Sequence, residues 1–358
     1  MVPAPGAMML EGLPDMEATF DIQSVRPGWE KNTGVVVANF HRNGSPLPLC
    51  ARSRLQKSIS TWNDRGLKPQ VGIELEGFVF QRNENGSWVP YDTPGAFVYG
   101  TGPSNDPKNL MGKIWEQATE MDLPVESING EYDNGQFELT LGFDEALKAC
   151  DNAFLFKTMA KEIAMQEGLM LSFMPKPIPE RGGSGLHVNF SFLDKSKINV
   201  IENNGKLSET ANNCISGLLQ HHEGLSALLA STVNSYDRLQ PASMAGYWAN
   251  WAGDHRMVSI RTSTSSSNSA RIEHRTADGA GNPYIVTSSV LTASLLGIKN
   301  KYKLPKAEDL DGMENVRATK HVPSSLSKAL NALENDTVLK SEIGVKFCNA
   351  FIEIKKDE

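Results

Sequence analysis

The amino-acid sequence predicts an α+β protein. A small β-rich N-terminal unit covers residues 1–66, and a large domain covers 67–358, with an antiparallel sheet backed by helices on one face and a polar trough on the other. Three observations carry that prediction. The run LHVNFSF alternates, with Leu186, Val188, Phe190 and Phe192 on one face and His187, Asn189 and Ser191 on the other. Two more strand-like runs put charge on one face: Glu74 and Glu76 in VGIELEGFVF, and Arg271, Glu273 and Arg275 in ARIEHRTADGAGNPY. Finally, the helical segments between these runs are apolar and carry none of that chemistry.

In chain order, the first thirty residues are rich in Pro, Gly and Met and show no clear period. GVVVANF (Gly34 to Phe40) predicts a β-branched strand, Asn43-Gly44 a turn, and Ser53 to Asp64 a helix ending at Gly66. Val71 to Phe80 predicts a strand, which the Gly-rich loop after Gln81 returns as a hairpin to SWVPY. Residues 108–121 predict a helix, and Gly130 to Gly142 a strand pair beyond the Pro124 break. A long helix follows from Asp144 to Gln166, with Leu147, Cys150 and Phe154 as its apolar stripe and Gly168 as its stop. LMLSFMPKP predicts a buried strand, RGGSG a turn, Ser208 to Ser231 one helix, and residues 284–300 and 325–355 the closing helices.

Composition bounds the function. With 40% hydrophobic and 22% charged residues and a formal net charge of −7, the chain has no basic field to attract nucleic acid. Cys50, Cys150, Cys214 and Cys348 are far apart and form no CxxC pair, which fits reduced thiols in a cytoplasmic protein. The apolar run Ala7 to Leu10 is short and lacks a basic leader, and no 18-residue apolar stretch follows, so neither export nor a membrane span is expected.

The polar faces collect Glu74, Glu76, Glu131, Glu138, His187 and Glu273. Oxygen-rich ligation with a single nitrogen suits Mg²⁺ or Mn²⁺ better than structural zinc. Taken singly, each of these residues reads as a solvated strand position. Together with Arg238, Arg256, Arg261, Arg271 and Arg275 they describe a site that clamps a polyphosphate through metals and disperses the charge of a phosphoryl group in transfer. Neither a GxxxxGK[ST] loop nor a GxGxxG fingerprint is present, which excludes P-loop and Rossmann nucleotide binding.

The ordered series GIELEGF, EYDNGQFE, GGSGLHVNFS, NSYDRL, DHRMVSIR and RIEHRTADGAGNPY, from Gly72 to Tyr284, resembles the glutamine synthetase superfamily, which includes the γ-glutamyl amine ligases. The resemblance implies a shortened β-grasp-like N-terminal domain and one metal site at Glu76, Glu131 and Glu138. It implies a second metal site at Glu74, His187 and Glu273. By the same resemblance, ATP contacts are expected at Phe143, Asn189, Ser191, Arg256, Arg261 and Arg271, glutamate contacts at Glu131, Gly183, Arg238 and Arg275, and catalytic roles at Arg256, Arg275 and Glu273. It further implies ATP as co-substrate, two or more Mg²⁺ or Mn²⁺ ions per site, and a ring of ten or twelve subunits.

The chain departs from the family pattern where the amine is chosen. Six residues after Arg238, where ammonia-using members carry a flap glutamate, stands Met244, which cannot act as a base or attract a cation. The start of the chain shows no counterpart of the family's Asp loop, and both ends look short for the family. Asp237, Gly77, Gly182 and His255 also differ from the usual residues. Three readings stand: a γ-glutamyl ligase using an organic amine, an ammonia-using glutamine synthetase, and a catalytically silent relative.

Overall fold

A computed structural model describes residues 15–309 and 316–358; the expected start of the irregular N-terminal segment and the run Ala7 to Leu10 lie outside these residues. The N-terminal part holds short strands: β1 (Glu17–Thr19), β2 (Arg26–Pro27), β3 (Gly34–Val35), β4 (Asn39–Arg42) and β5 (Ser45–Pro46). The strand expected from Gly34 to Phe40 is thus two short ones. Strands β1, β4 and β5 form one small sheet, and β2 with β3 another. Asn43 and Gly44 turn β4 into β5 with φ of 52° and 70°, the left-handed pair that a tight hairpin requires.

Helix α1 (Ala51–Asn63) leads into β6 (Lys68–Arg82), β7 (Trp88–Pro90), α2 (Leu110–Glu120), β8 (Val125–Gly130), β9 (Gln136–Leu141), β10 (Asp144–Glu145), α3 (Ala146–Gln166), β11 (Leu169–Ser172) and β12 (Leu186–Leu193). After the hairpin β13 (Glu202–Asn203) and β14 (Lys206–Leu207) come α4 (Glu209–Gln220), α5 (His222–Leu229), α6 (Ser235–Arg238), β15 (Trp251–Gly253), β16 (Ile260–Ser263) and β17 (Arg271–His274). Helices α7 (Pro283–Asn300), α8 (Leu326–Asn335), α9 (Thr337–Ile343) and α10 (Val345–Lys356) end the chain.

The main sheet has ten strands, with the path β15-β16-β17-β12-β6-β9-β8 and β7, β10 and β11 also paired to β6. Fifteen residues long, β6 is its spine. The sequence predicts an antiparallel sheet; the structure corrects this at one edge, where β15 runs parallel to β16. Tertiary packing also corrects two helices. Ser208 to Ser231 breaks at His221, and 325–355 breaks twice, at Asp336, whose carboxylate accepts from Leu339 N at 3.0 Å, and at Gly344, with φ of 128°. A side-chain cap and a left-handed glycine interrupt an apolar pattern that reads as continuous.

Leu186, Val188, Phe190 and Phe192 are buried on the helix side of the sheet, as the alternation predicts. Trp62 of α1 stacks on Phe192 with ring centroids 4.1 Å apart and donates its indole N–H to Leu291 O of α7 at 3.1 Å. The helical layer is thereby tied to the back of the strand that carries His187. The NPY run opens α7: Asn282 caps the backbone N–H groups of Tyr284 and Ile285, and Pro283 stands where no N–H is needed.

Behind the sheet, His222 is fully buried and its Nε2 donates to Tyr247 O at 3.1 Å. Burial, reinforced by His321 and Lys320, pulls its pKa down to about 4. The unfolded chain therefore binds this proton below the ordinary histidine range while the folded chain does not. Stability from this group is complete above pH ~6.5 and falls as the pH drops towards 4, by on the order of 3 kcal/mol. Denaturant melts of wild type and His222→Gln across pH 7 to 4 check this: the variant keeps a donor for Tyr247 and should lose less stability on acidification. Equal losses refute it.

Candidate metal centre and nucleotide cleft

Strand register builds the site. Along β6, Glu74 faces His187 of β12, and Glu76 faces Glu138 of β9. Asn189 of β12 faces Glu273 of β17, and Glu273 faces Arg261 of β16. Side chains directly across a ladder lie within reach of one another, so Glu74, Glu76, Glu138, His187 and Glu273 converge from strands, and Glu131 joins them from the turn between β8 and β9.

Two groups of potential ligand atoms result, each within 4.8 Å: Glu74, His187 and Glu273, and Glu76, Glu131 and Glu138. In the first, His187 Nδ1 is 3.1 Å from Glu74 Oε2 and 3.8 Å from Glu273 Oε1. Burial works against the Glu74 charge, but His187, Asn189 and the field of Arg275 bring its pKa down to about 2. Burial and Arg275 also work against a charge on His187, yet Glu76 and Glu74 prevail and raise its pKa. In the second group burial, then Glu74, Glu76 and Glu131, push Glu138 up to about 7, and burial with Glu76 raises Glu131. Among the described residues no side chain hydrogen-bonds the Glu138 carboxylate. Clustered carboxylates that repel one another in this way fit a hard divalent cation, whose charge removes the cost.

The arginines frame the first group. Arg261 donates to Glu273 Oε2 at 2.9 Å and pairs with Asp254, while Arg275 pairs with Glu273 Oε1. Arg271 Nε donates to Asn189 Oδ1 at 3.0 Å, and Asn189 Nδ2 donates in turn to Glu74 at 2.9 Å. Arg256 stands exposed on the loop after β15, near enough to Asp254 to lower its pKa after Arg261 has done most of that work. Arg238 is turned inward: its guanidinium donates to Thr276 O and Arg275 O at 3.0 and 3.3 Å.

The loop before β12 fits only because it is glycine. A Cβ on Gly183 would lie 2.7 Å from Arg238 Cγ and from Pro175 O, and one on Gly185 2.7 Å from His187 Nε2 and 3.1 Å from Glu76 Oε2. Gly185 N donates to Glu76 Oε2 at 2.6 Å, and Gln136 Nε2 donates to Gly183 O at 2.9 Å. Beside the first group opens a cleft of about 480 Å³ lined by Gly72, Glu74, Phe143, Asn189, Ser191 and Arg271, among others. Phe143, 71% exposed, lies across its wall against Gly72.

The strand pattern does not reveal three contributors: Asp254 as partner of Arg261, Gln136 as a clamp on Gly183, and Asp133, which accepts from Gly182 N at 2.6 Å. The GQ in EYDNGQFE is the only signal that could have drawn attention to Gln136. Among the described residues no helix is long and apolar enough to cross a membrane, and all four cysteines are free and buried.

Residues 48–358 match the family model "Glutamine synthetase, catalytic domain". The glutamine synthetase of Pyrococcus abyssi is 34% identical over 360 residues, which cover 97% of this chain and 80% of that protein. A glutamate–isopropylamine ligase from a Pseudomonas species is 32% identical over 356 residues, covering 96% of this chain and 76% of that one. A solved structure described as apo GmaS without ligand superposes with a TM-score of 0.88 at 28% identity, covering 99% of this chain and 83% of the other. The chain belongs to the glutamine synthetase family, whose members are ATP-dependent ligases that form C–N bonds.

Proposed function

We propose that this chain phosphorylates the γ-carboxylate of glutamate with ATP and transfers the γ-glutamyl group to an organic amine. The observation that carries the choice of amine is Met244. It is 49% exposed on the loop that rests on Arg275 through its own carbonyl, 3.5 Å from Nη2. A thioether at that lip can pack on an alkyl or aryl group, whereas it offers ammonium neither charge nor a hydrogen bond of consequence. The Pseudomonas relative, a glutamate–isopropylamine ligase, supports this reading. The identity with the Pyrococcus glutamine synthetase favours ammonia as the alternative.

In this proposal Glu74, His187 and Glu273, and Glu76, Glu131 and Glu138, hold two Mg²⁺ or Mn²⁺ ions, which when bound withdraw charge from the phosphate oxygens. The nucleotide lies in the cleft at Phe143, Asn189 and Ser191. Arg271, aimed by Asn189, and Arg261, aimed by Glu273 and Asp254, receive the phosphates, with the exposed Arg256 closing over them. Arg275 takes a glutamate carboxylate. Arg238, directly beneath Gly183, braces the backbone that borders that substrate. Rigid donors set in place before the reaction are worth most where charge develops in a site that excludes water. A ring oligomer belongs to the same proposal, and mass photometry of the purified chain tests it.

An amine panel decides the reading: ATP, Mg²⁺ or Mn²⁺ and glutamate with ammonium, methylamine, isopropylamine, putrescine or aniline, scored by product mass. The expected product is a γ-glutamyl amide of an organic amine, with Met244→Glu shifting turnover towards ammonium. Glutamine as the main product of the wild type would establish the ammonia reading instead. No product from a chain that still binds ATP and metal would leave the silent one.

A further inference from the structure

Asp278 lies in the turn between β17 and α7, is fully buried, and carries a carboxylate that no step of the proposed reaction uses. Its Oδ1 accepts from Ala280 N at 3.1 Å, while Oδ2 has no hydrogen-bond partner. Burial raises its pKa, and Arg238 is the largest influence opposing that rise. Arg238 is its counterpart among the cations. It is 5% exposed, its guanidinium donates to the Thr276 and Arg275 carbonyls, and no carboxylate of the described residues pairs with it directly. Burial works against its charge, with Glu76 and then Asp278 working for it.

The placement of these groups sets up a competition. Asp278 stands opposite Gly185 in an antiparallel bridge, and a Cβ on Gly185 would lie 2.9 Å from Arg238 Nη2 and 3.1 Å from Glu76 Oε2. The guanidinium and the metal-site carboxylate therefore flank one glycine, with Asp278 across from it. Opposite charges so placed in a buried region attract strongly. Arg238 swung onto Glu76 would take an oxygen that a cation at Glu76, Glu131 and Glu138 needs. Two carbonyls hold the guanidinium back by hydrogen bonds, and Asp278 adds a counter-charge. An Asx-type turn accounts for the Ala280 contact, but asparagine would make that turn as well, so the turn does not explain why a charge is buried there at the cost of desolvation. We propose that Asp278 is a positioning residue for the cation site: its charge keeps Arg238 on the Arg275 and Thr276 carbonyls and off Glu76, leaving that carboxylate free for Mg²⁺ or Mn²⁺. The inference rests on the proposal that Glu76, Glu131 and Glu138 hold a cation.

The test is Mn²⁺ binding to the full chain without nucleotide, followed by electron paramagnetic resonance of the free ion, so that turnover does not enter. The binding at issue is the part that Glu138→Gln removes. Asp278→Asn, which keeps the turn, should weaken it about tenfold, the size of a coupling between neighbouring charged groups. In an Arg238→Gln background the same change should leave the affinity as it is, because the group that Asp278 restrains is gone. Asp278→Ser, which also keeps an acceptor for Ala280 N, repeats the comparison should the asparagine variant fail to fold. A loss of equal size in both backgrounds would show Asp278 acting on the ion directly, and no loss in either would show that it has no such role; each result overturns the inference. Equal Mn²⁺ binding by wild type and Glu138→Gln would overturn the cation site itself and the inference with it.

Discussion

Glu273→Gln is expected to remove ligase activity and to destabilise the protein, while the same chemical change at Glu138 removes activity yet stabilises the metal-free chain. Glu273 is 3% exposed and holds Arg261 and Arg275 by two ion pairs, with His187 at its other side. Withdrawing its charge leaves two guanidinium groups facing an amide in a buried place, a loss of about 3–5 kcal/mol. Glu138 has the opposite surroundings, three carboxylates and no hydrogen-bonding partner among the described side chains. Its charge is opposed, as its pKa near 7 reflects. Thermal melts without metal should therefore move in opposite directions for the two variants. With saturating Mg²⁺ the wild type should rise and Glu138→Gln should respond weakly, because one of three carboxylate ligands is lost. Turnover should fall by on the order of 10³-fold in both. If Glu138→Gln lowered stability without metal and kept the full Mg²⁺ response, the assignment of Glu76, Glu131 and Glu138 as a cation site would be wrong.

The second large effect concerns packing. Helices α4 and α7 cross backbone against backbone at Gly217 and Gly297, and a Cβ on Gly297 would overlap Asn213 O and lie 2.8 Å from Gly217 N. In an isolated helix Gly→Ala gains about 1 kcal/mol. Here the helices must part, and overpacking at a rigid backbone contact costs more than that gain, so Gly297→Ala is expected to be destabilising by on the order of 3 kcal/mol. Because α7 also carries Leu291, the acceptor for Trp62, the displacement should be felt in the helical layer behind β12. Chemical denaturation followed by circular dichroism measures it; an unchanged midpoint would mean that α4 and α7 can part at little cost and would refute the expectation.

By itself the sequence determined the family, the helical layer and which strand faces carry chemistry. Alternation has a period of two and survives without any knowledge of partners: His187 and Asn189, Glu74 and Glu76, and Arg271, Glu273 and Arg275 each declare a shared face. The family resemblance grouped Glu74 with His187 and Glu273, and Glu76 with Glu131 and Glu138, but only the tertiary structure decided the strand register that brings each group together. Nothing in the residues around Glu74 says that it pairs with His187, or that Glu76 faces Glu138 while Glu273 faces Arg261, because register is a property of two strands and not of one. The parallel β15–β16 pair was invisible for the same reason, whereas Asp336 and Gly344 are cap-type residues that the apolar period runs straight through, so the pattern alone did not say that the helix stops there.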